Sequence, residues 1–220
     1  MFIINCKNYN EIAGDKIIKI AKIAEKVSKK YKVPIAIAPP HHLIPLVAKF
    51  KITVLAQHVD DEKVGSSTGF MIPEIVKQSK ISGSIINHSE HRISEKEIKT
   101  LVKRLHKLKL KTVVCVKNIN EAKKYAKVNP TFIAIEPPEL IGTGRAISTE
   151  KPALIINAVQ AIKSANNSTK LLCGAGIVSG QDVAKAMELG SKGILVASGI
   201  IKAKNWEKII SEFCKGLKSQ

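Results

Sequence analysis

The sequence predicts a single-domain protein with a closed (β/α)8 barrel fold over residues 1–220. Eight short apolar runs rich in β-branched residues recur along the chain, as expected of parallel strands covered on both faces. Amphipathic stretches separate most of these runs, which is typical of strand–helix repeats. Eight such units in 220 residues fit a barrel at the short end of its size range.

The predicted strands centre on residues 3–4, 35–37, 54–56, 85–86, 113–116, 132–135, 171–173 and 194–196. Residues 17–27 and 98–108 have the apolar spacing of helices, and Ser94 and Glu97 form a predicted capping box before the second. We interpret Gly83-Ser84 and residues 190–193 as helix exits. An open doubly wound sheet is the alternative, but no G-x-G-x-x-G motif follows the first strand.

Composition narrows the class of protein. No apolar run reaches the roughly 18 residues that cross a bilayer, and the first residues lack a signal-peptide pattern, so we expect a cytoplasmic protein without membrane contact. The four cysteines form no C-x-x-C pair, and His41, His42 and His58 have no partner at ligand spacing. We therefore expect no metal site and no disulfide framework.

A net charge of +18 is the least usual bulk property. It is compatible with nucleic-acid binding, with attraction of an anionic substrate, or with a lysine-rich surface. The lysines are spread along helical faces, and aromatic residues, at 4%, are too scarce to offer stacking platforms for bases. Nucleic-acid binding is therefore disfavoured.

Polar residues follow several strands, at the end of a barrel where chemistry is performed. Lys7, after the first strand, is either a surface lysine or a cation facing an anion. His88 follows the fourth strand, and a helix N-terminus beside it would disfavour the imidazolium and leave a neutral donor. Gly174–Ile177 and Ala197–Ile200 follow the seventh and eighth strands, where small residues let backbone N–H groups approach phosphate.

Glu136 directly follows the sixth strand, in front of two prolines and a Gly-Thr-Gly segment. An ordinary turn with a solvated glutamate is one interpretation. A stiff start and a flexible end favour the other, a mobile lid with Glu136 at its base. The predicted lid consists of Pro137, Pro138, Glu139, Leu140, Ile141, Gly142, Thr143 and Gly144.

Together these segments resemble triosephosphate isomerase, in the short form found in archaea. The resemblance covers the whole chain in order, and its segments are Asn5-x-Lys7, His88-Ser89-Glu90, residues 136–144, residues 173–176 and residues 197–199. It implies a TIM barrel that interconverts dihydroxyacetone phosphate and D-glyceraldehyde 3-phosphate through an enediol or enediolate, in glycolysis and gluconeogenesis, with no cofactor.

The resemblance also implies roles for single residues. Glu136 matches the base, His88 the neutral electrophile and Lys7 the cation of the catalytic set, a division of roles for which this family is itself the standard example. Asn5 matches a substrate-binding neighbour of Lys7. Glu90 matches a supporting acid near that lysine.

Phosphate contacts and assembly follow from the same resemblance. Ile141, Gly176, Ala197 and Ser198 match substrate-binding positions, and Thr68 matches a residue that reaches into a neighbouring subunit. We therefore expect a homo-oligomer, a tetramer as in the short form or else a dimer.

Departures and alternatives remain. Many relatives carry a tryptophan in the lid and Gly-Gly on the eighth unit, and His91 stands where an arginine is frequent. A Schiff-base aldolase would need a lysine inside a central strand. A basic nucleic-acid-binding barrel would need several phosphate contacts and steep salt dependence.

Overall fold

Within residues 1–219, eight short strands lie side by side, all parallel, and the eighth pairs with the first, which closes the barrel. This computed structural model describes residues 1–219, so Gln220, the last residue of the predicted domain, lies outside the described residues. The strands are β1 (Phe2–Asn5), β2 (Ile35–Ala38), β3 (Thr53–Ala56), β4 (Gly83–Ile86), β5 (Lys111–Val116), β6 (Phe132–Ile135), β7 (Lys170–Cys173) and β8 (Ile194–Val196). All eight predicted strands are confirmed.

Helices surround the strands in the expected order. They are α1 (Lys16–Tyr31), α2 (Ile44–Val47), α3 (Pro73–Lys77), α4 (Glu95–Lys107), α5 (Ile119–Ala126), α6 (Ile147–Glu150), α7 (Pro152–Ala165), α8 (Gly180–Glu188), α9 (Ser198–Ile201) and α10 (Trp206–Lys218). Short 3-10 turns occupy Asn10–Ile12, His41–Leu43 and Pro138–Leu140. No helix within residues 1–219 has the length and apolar character needed to cross a membrane.

Alternation along each strand divides the core into two layers. In β1, Ile3 belongs to a cluster inside the barrel with Leu55, Val113 and Leu172, whereas Ile4 packs in the larger cluster beneath the helices. Both faces are therefore buried, which explains the nearly continuous apolar runs. Burying each such side chain fully contributes about 1.5–3 kcal/mol.

The two predicted helical faces are confirmed. The apolar residues of α1 at the expected spacing are buried, as are most of those of α4. Ser94 Oγ accepts the N–H of Glu97 at 3.2 Å, and Glu97 Oε2 accepts the N–H of Ser94 at 2.9 Å, as the capping box predicts.

One glycine has a different role from the predicted one. Gly190 has a φ of 99° at the end of α8, which fits a helix exit. Gly83 instead begins β4, and a Cβ there would lie 2.2 Å from the carbonyl oxygen of Lys111 on β5. Its interpretation as a helix exit is therefore wrong, because close approach of two strands requires the glycine.

Candidate active site

Two polar side chains lie at the end of β1, at the mouth of the barrel: Asn5 is its last residue, and Lys7 follows it. Asn5 is buried, and its Oδ1 accepts the backbone N–H of Lys7 at 3.0 Å. Lys7 Nζ lies 2.6 Å from Glu90 Oε1. The structure thus joins the cation after β1 to the acid after β4.

The two ring nitrogens of His88 have separate partners. Nδ1 accepts the backbone N–H of Glu90 at 3.2 Å, so the ring is uncharged and its proton lies on Nε2. Nε2 lies 3.3 Å from Glu136 Oε1. α4, the next helix, begins at Glu95, seven residues after His88. The backbone amide of Glu90, and not a helix N-terminus, therefore accounts for the neutral imidazole of His88.

The loop around His88 is fixed by side chains to which the sequence reasoning gave no role. Asn87 has a φ of 60°, and its Nδ2 donates to the carbonyl of Cys115 at 2.9 Å. Arg92 donates to the Asn87 carbonyl at 2.9 Å. The only indication of this loop conformation in the sequence was Asn87 itself, because asparagine tolerates the left-handed conformation better than most residues.

Glu136 is held at the end of β6 and is only 3% exposed. Its N–H donates to the Val116 carbonyl at 2.8 Å. Oε1 contacts His88, whereas Oε2 is buried and has no hydrogen-bond partner within residues 1–219. Gly174 makes room for the side chain, since a Cβ there would lie 2.6 Å from Glu136 Cγ. A buried carboxylate oxygen with free acceptor capacity can take a proton from a bound molecule.

The predicted lid begins as a short turn over Pro138–Leu140, whose last residue is buried. Gly142 and Gly144 follow with φ values of 73° and 74°, a conformation that suits glycine. An exposed ion pair between Glu139 and Lys151 ties the turn to the start of α7. The segment has a fixed beginning and a glycine-rich end, as its sequence indicates.

Small residues after β7 and β8 bring the backbone to the cavity. Gly176 has a φ of 68°, and a Cβ there would lie 1.8 Å from the carbonyl oxygen of Arg145. Ala197 precedes α9, whose first N–H groups have no acceptor inside the helix. These amides can bind an anion.

One cavity of about 560 Å³ collects these groups. Its lining includes the predicted residues Asn5, Lys7, His88, Glu136, Ile141, Gly176, Ala197 and Ser198. Glu90 lines an adjoining recess of about 1000 Å³, together with His41, His58 and His91. Thr68 lies outside both cavities, exposed on the loop after β3.

Neither metal chemistry nor thiol chemistry is evident at the site. Among residues 1–219, no group of three or more histidine, cysteine or acidic side chains is placed to hold a metal ion. All four cysteines are buried free thiols. Burial raises the pKa of Cys173 to about 12, and burial and then the Glu136 carboxylate raise the pKa of Cys115, so these thiols stay protonated.

A carboxylate, a neutral imidazole, a lysine and two loops of backbone amides around one mouth are typical of (β/α)8-barrel enzymes that act on small phosphorylated substrates. A family model described as triosephosphate isomerase matches residues 1–213. The chain belongs to the triosephosphate isomerase family.

Relatives named triosephosphate isomerase align over almost the whole chain. The protein of Cenarchaeum symbiosum is 52% identical over 217 residues, which cover 99% of this chain and 97% of the relative. That of Methanocaldococcus jannaschii is 44% identical, over 98% of this chain and 99% of the relative. That of Caldivirga maquilingensis is also 44% identical, over 99% and 97%.

Proposed function

We propose that this chain interconverts dihydroxyacetone phosphate and D-glyceraldehyde 3-phosphate, a step shared by glycolysis and gluconeogenesis. The observation that carries the proposal is the pairing of Glu136 and His88. A buried carboxylate, one of whose oxygens has no hydrogen-bond partner among residues 1–219, lies beside an imidazole whose only proton points into the same cavity. An aldose–ketose isomerisation needs these two groups, a base at carbon and a proton donor at oxygen.

The reaction proceeds by transfer of protons alone. Glu136 removes a proton from C1 of dihydroxyacetone phosphate while His88 Nε2 donates its proton to the carbonyl oxygen at C2. The resulting enediol returns the O1 proton to His88, and Glu136 delivers its proton to C2, which gives the aldehyde. Both side chains regain their starting protonation states, so the cycle needs no metal or organic cofactor.

Lys7 and the glycine loops bind the charge of the substrate. The ammonium, held by Glu90, stabilises negative charge on the substrate oxygens, and Asn5 lies beside it. Backbone amides at Gly176, Ala197 and Ser198 bind the phosphate. Closure of residues 137–144, with Ile141 over the ligand, excludes water and protects the reactive intermediate.

Two variants test the assignment of the base. Glu136→Asp withdraws the carboxylate by about 1 Å, and we expect kcat to fall about a hundredfold with little change in KM. Glu188→Asp, a matched change in an exposed acid of α8, should have wild-type kinetics. A coupled assay starting from glyceraldehyde 3-phosphate measures both. An inactive wild type, or a Glu136→Asp variant with normal kcat, would refute the proposal.

Other functions gain no support from a specific observation. The strand lysines among residues 1–219, Lys111 and Lys170, are exposed first residues of their strands, at the end of the barrel opposite the cavity. A Schiff-base aldolase therefore lacks its nucleophile. The scattered lysines still favour no nucleic-acid partner.

We also propose a cytoplasmic homo-oligomer. Val64 and Phe70 lie in the loop that carries Thr68, and they are 57% and 50% exposed. Burying such residues against a second copy would stabilise the assembly. A tetramer is the expected form, as in the short form that the sequence resembles, and a dimer is the alternative. The free thiols suit a reducing compartment, which cell fractionation would test.

A further inference from the structure

The backbone of Lys7 has a conformation that is unfavourable for a residue other than glycine. Its φ is 46°, in the left-handed region that few residues other than glycine adopt. Such conformations persist only where the surrounding structure holds them. The direction of the Lys7 side chain depends on this conformation, so whatever holds the backbone also aims the ammonium.

Side-chain amides hold the Lys7 peptide groups from both sides. Asn5 Oδ1 accepts the Lys7 N–H at 3.0 Å, and Gln57 Nε2 donates to the Lys7 carbonyl at 3.0 Å. Gln57 Nε2 donates also to the carbonyl of Ala38 at 3.0 Å. Both partners of Gln57 are carbonyl oxygens, so its amide nitrogen must be the atom that faces them, and both of its hydrogens are used.

Gln57 therefore connects three strand ends. It follows β3, it binds the last residue of β2, and it binds the segment after β1. The Ala38 carbonyl accepts in addition the N–H of Cys6 at 2.9 Å, next to Lys7. The glutamine is half-buried in the recess beside the cavity and does not line the cavity itself.

We propose that Gln57 is a positioning residue for the isomerisation, which sets the direction of Lys7 without touching the substrate. The inference rests on the proposed function, because it assigns to Gln57 an effect on catalysis that acts through the position of Lys7. A residue that acts only through Lys7 should matter only while Lys7 is present.

A double-mutant cycle tests this dependence. Gln57→Met keeps the length of the side chain and removes both donors, and Lys7→Met removes the ammonium. We expect Gln57→Met alone to lower kcat/KM about tenfold to a hundredfold, the scale on which misplaced groups lose rate. In the Lys7→Met background, the same change should alter kcat/KM by less than about twofold. Gln160→Met, on the exposed face of α7, is the matched control.

The outcomes separate the proposals. An inactive wild type overturns the proposed function and this inference with it. With an active wild type, normal kinetics for Gln57→Met, or losses that multiply in the double variant, overturn the positioning role alone. Circular dichroism verifies folding, and if Gln57→Met does not fold, Gln57→Glu, which keeps size and polarity but cannot donate when ionised, enters the same cycle with the same expected pattern.

Discussion

Substitution of Gly174 by alanine should damage catalysis although it replaces no group that reacts. A Cβ at this position would lie 2.6 Å from Glu136 Cγ, whereas carbon atoms pack at about 3.5 Å or more. The Glu136 side chain must therefore move by about 0.9 Å, the difference between these two distances. A displacement of that size costs about a hundredfold in rate, or about 2.7 kcal/mol in activation free energy.

The expected result is a fall in kcat with a small change in KM, because the phosphate loops remain in place. Overpacking of this kind should lower the free energy of unfolding by about 1–3 kcal/mol, so thermal melting must accompany the coupled assay. Gly14→Ala is the control: Gly14 has a φ of 56°, but a Cβ there would meet no atom of residues 1–219 within 4 Å, so the variant should lose stability and keep kcat. Wild-type kcat in a folded Gly174→Ala variant would refute the argument that this glycine makes room for the base.

Three further outcomes are expected. Burial, and then neighbouring histidines, lower the pKa values of His41 and His58 below 6.5 in the folded protein. As pH drops below about 6.5 the unfolded chain therefore takes up protons first, and the free energy of unfolding falls. Melting temperatures at about pH 7.5 and about pH 5.5 measure this fall, and His58→Asn should reduce it. Because the chain carries a net charge of +18, raising salt from about 10 mM to about 300 mM should lower kcat/KM and leave kcat unchanged, and a salt-independent kcat/KM would contradict electrostatic steering. Phe70→Asp should shift the assembly to a smaller species in sedimentation velocity, whereas an unchanged mass would place the interface elsewhere.

The sequence predicted the architecture because burial on both faces of a strand leaves a continuous apolar run. Such a run can be recognised without knowledge of the neighbouring strands. It could not predict the role of Gly83. A glycine in a turn and a glycine pressed against a neighbouring strand are the same letter, and only the register of β4 against β5 distinguishes them. The start of α4 was predictable, because the capping box at Ser94 and Glu97 is a local pattern in the sequence.

Residues at the site were predictable to the extent that they follow strands directly. The rule that barrel chemistry lies at strand ends selected Lys7, His88 and Glu136. It gave no role to Gln57 or Asn87, whose side chains donate hydrogen bonds to backbone carbonyl groups on or next to other strands. A side chain that binds backbone has no recognisable partner in the sequence, so such residues become visible only when the strands are placed side by side.

The spacing of the base and the imidazole follows from the strand between them. β5 separates β4 from β6, and its backbone binds both neighbours, through the Val116 carbonyl to Glu136 and the Cys115 carbonyl to Asn87. Adjacent strands lie about 4.8 Å apart, so the backbones that carry His88 and Glu136 are about 9.6 Å apart. Two long side chains reduce that gap to the 3.3 Å between Nε2 and Oε1. An aspartate, one methylene shorter, would withdraw the carboxylate from His88 by about 1 Å, a scale on which catalytic geometry is sensitive, which is the structural reason why a glutamate suits this strand end.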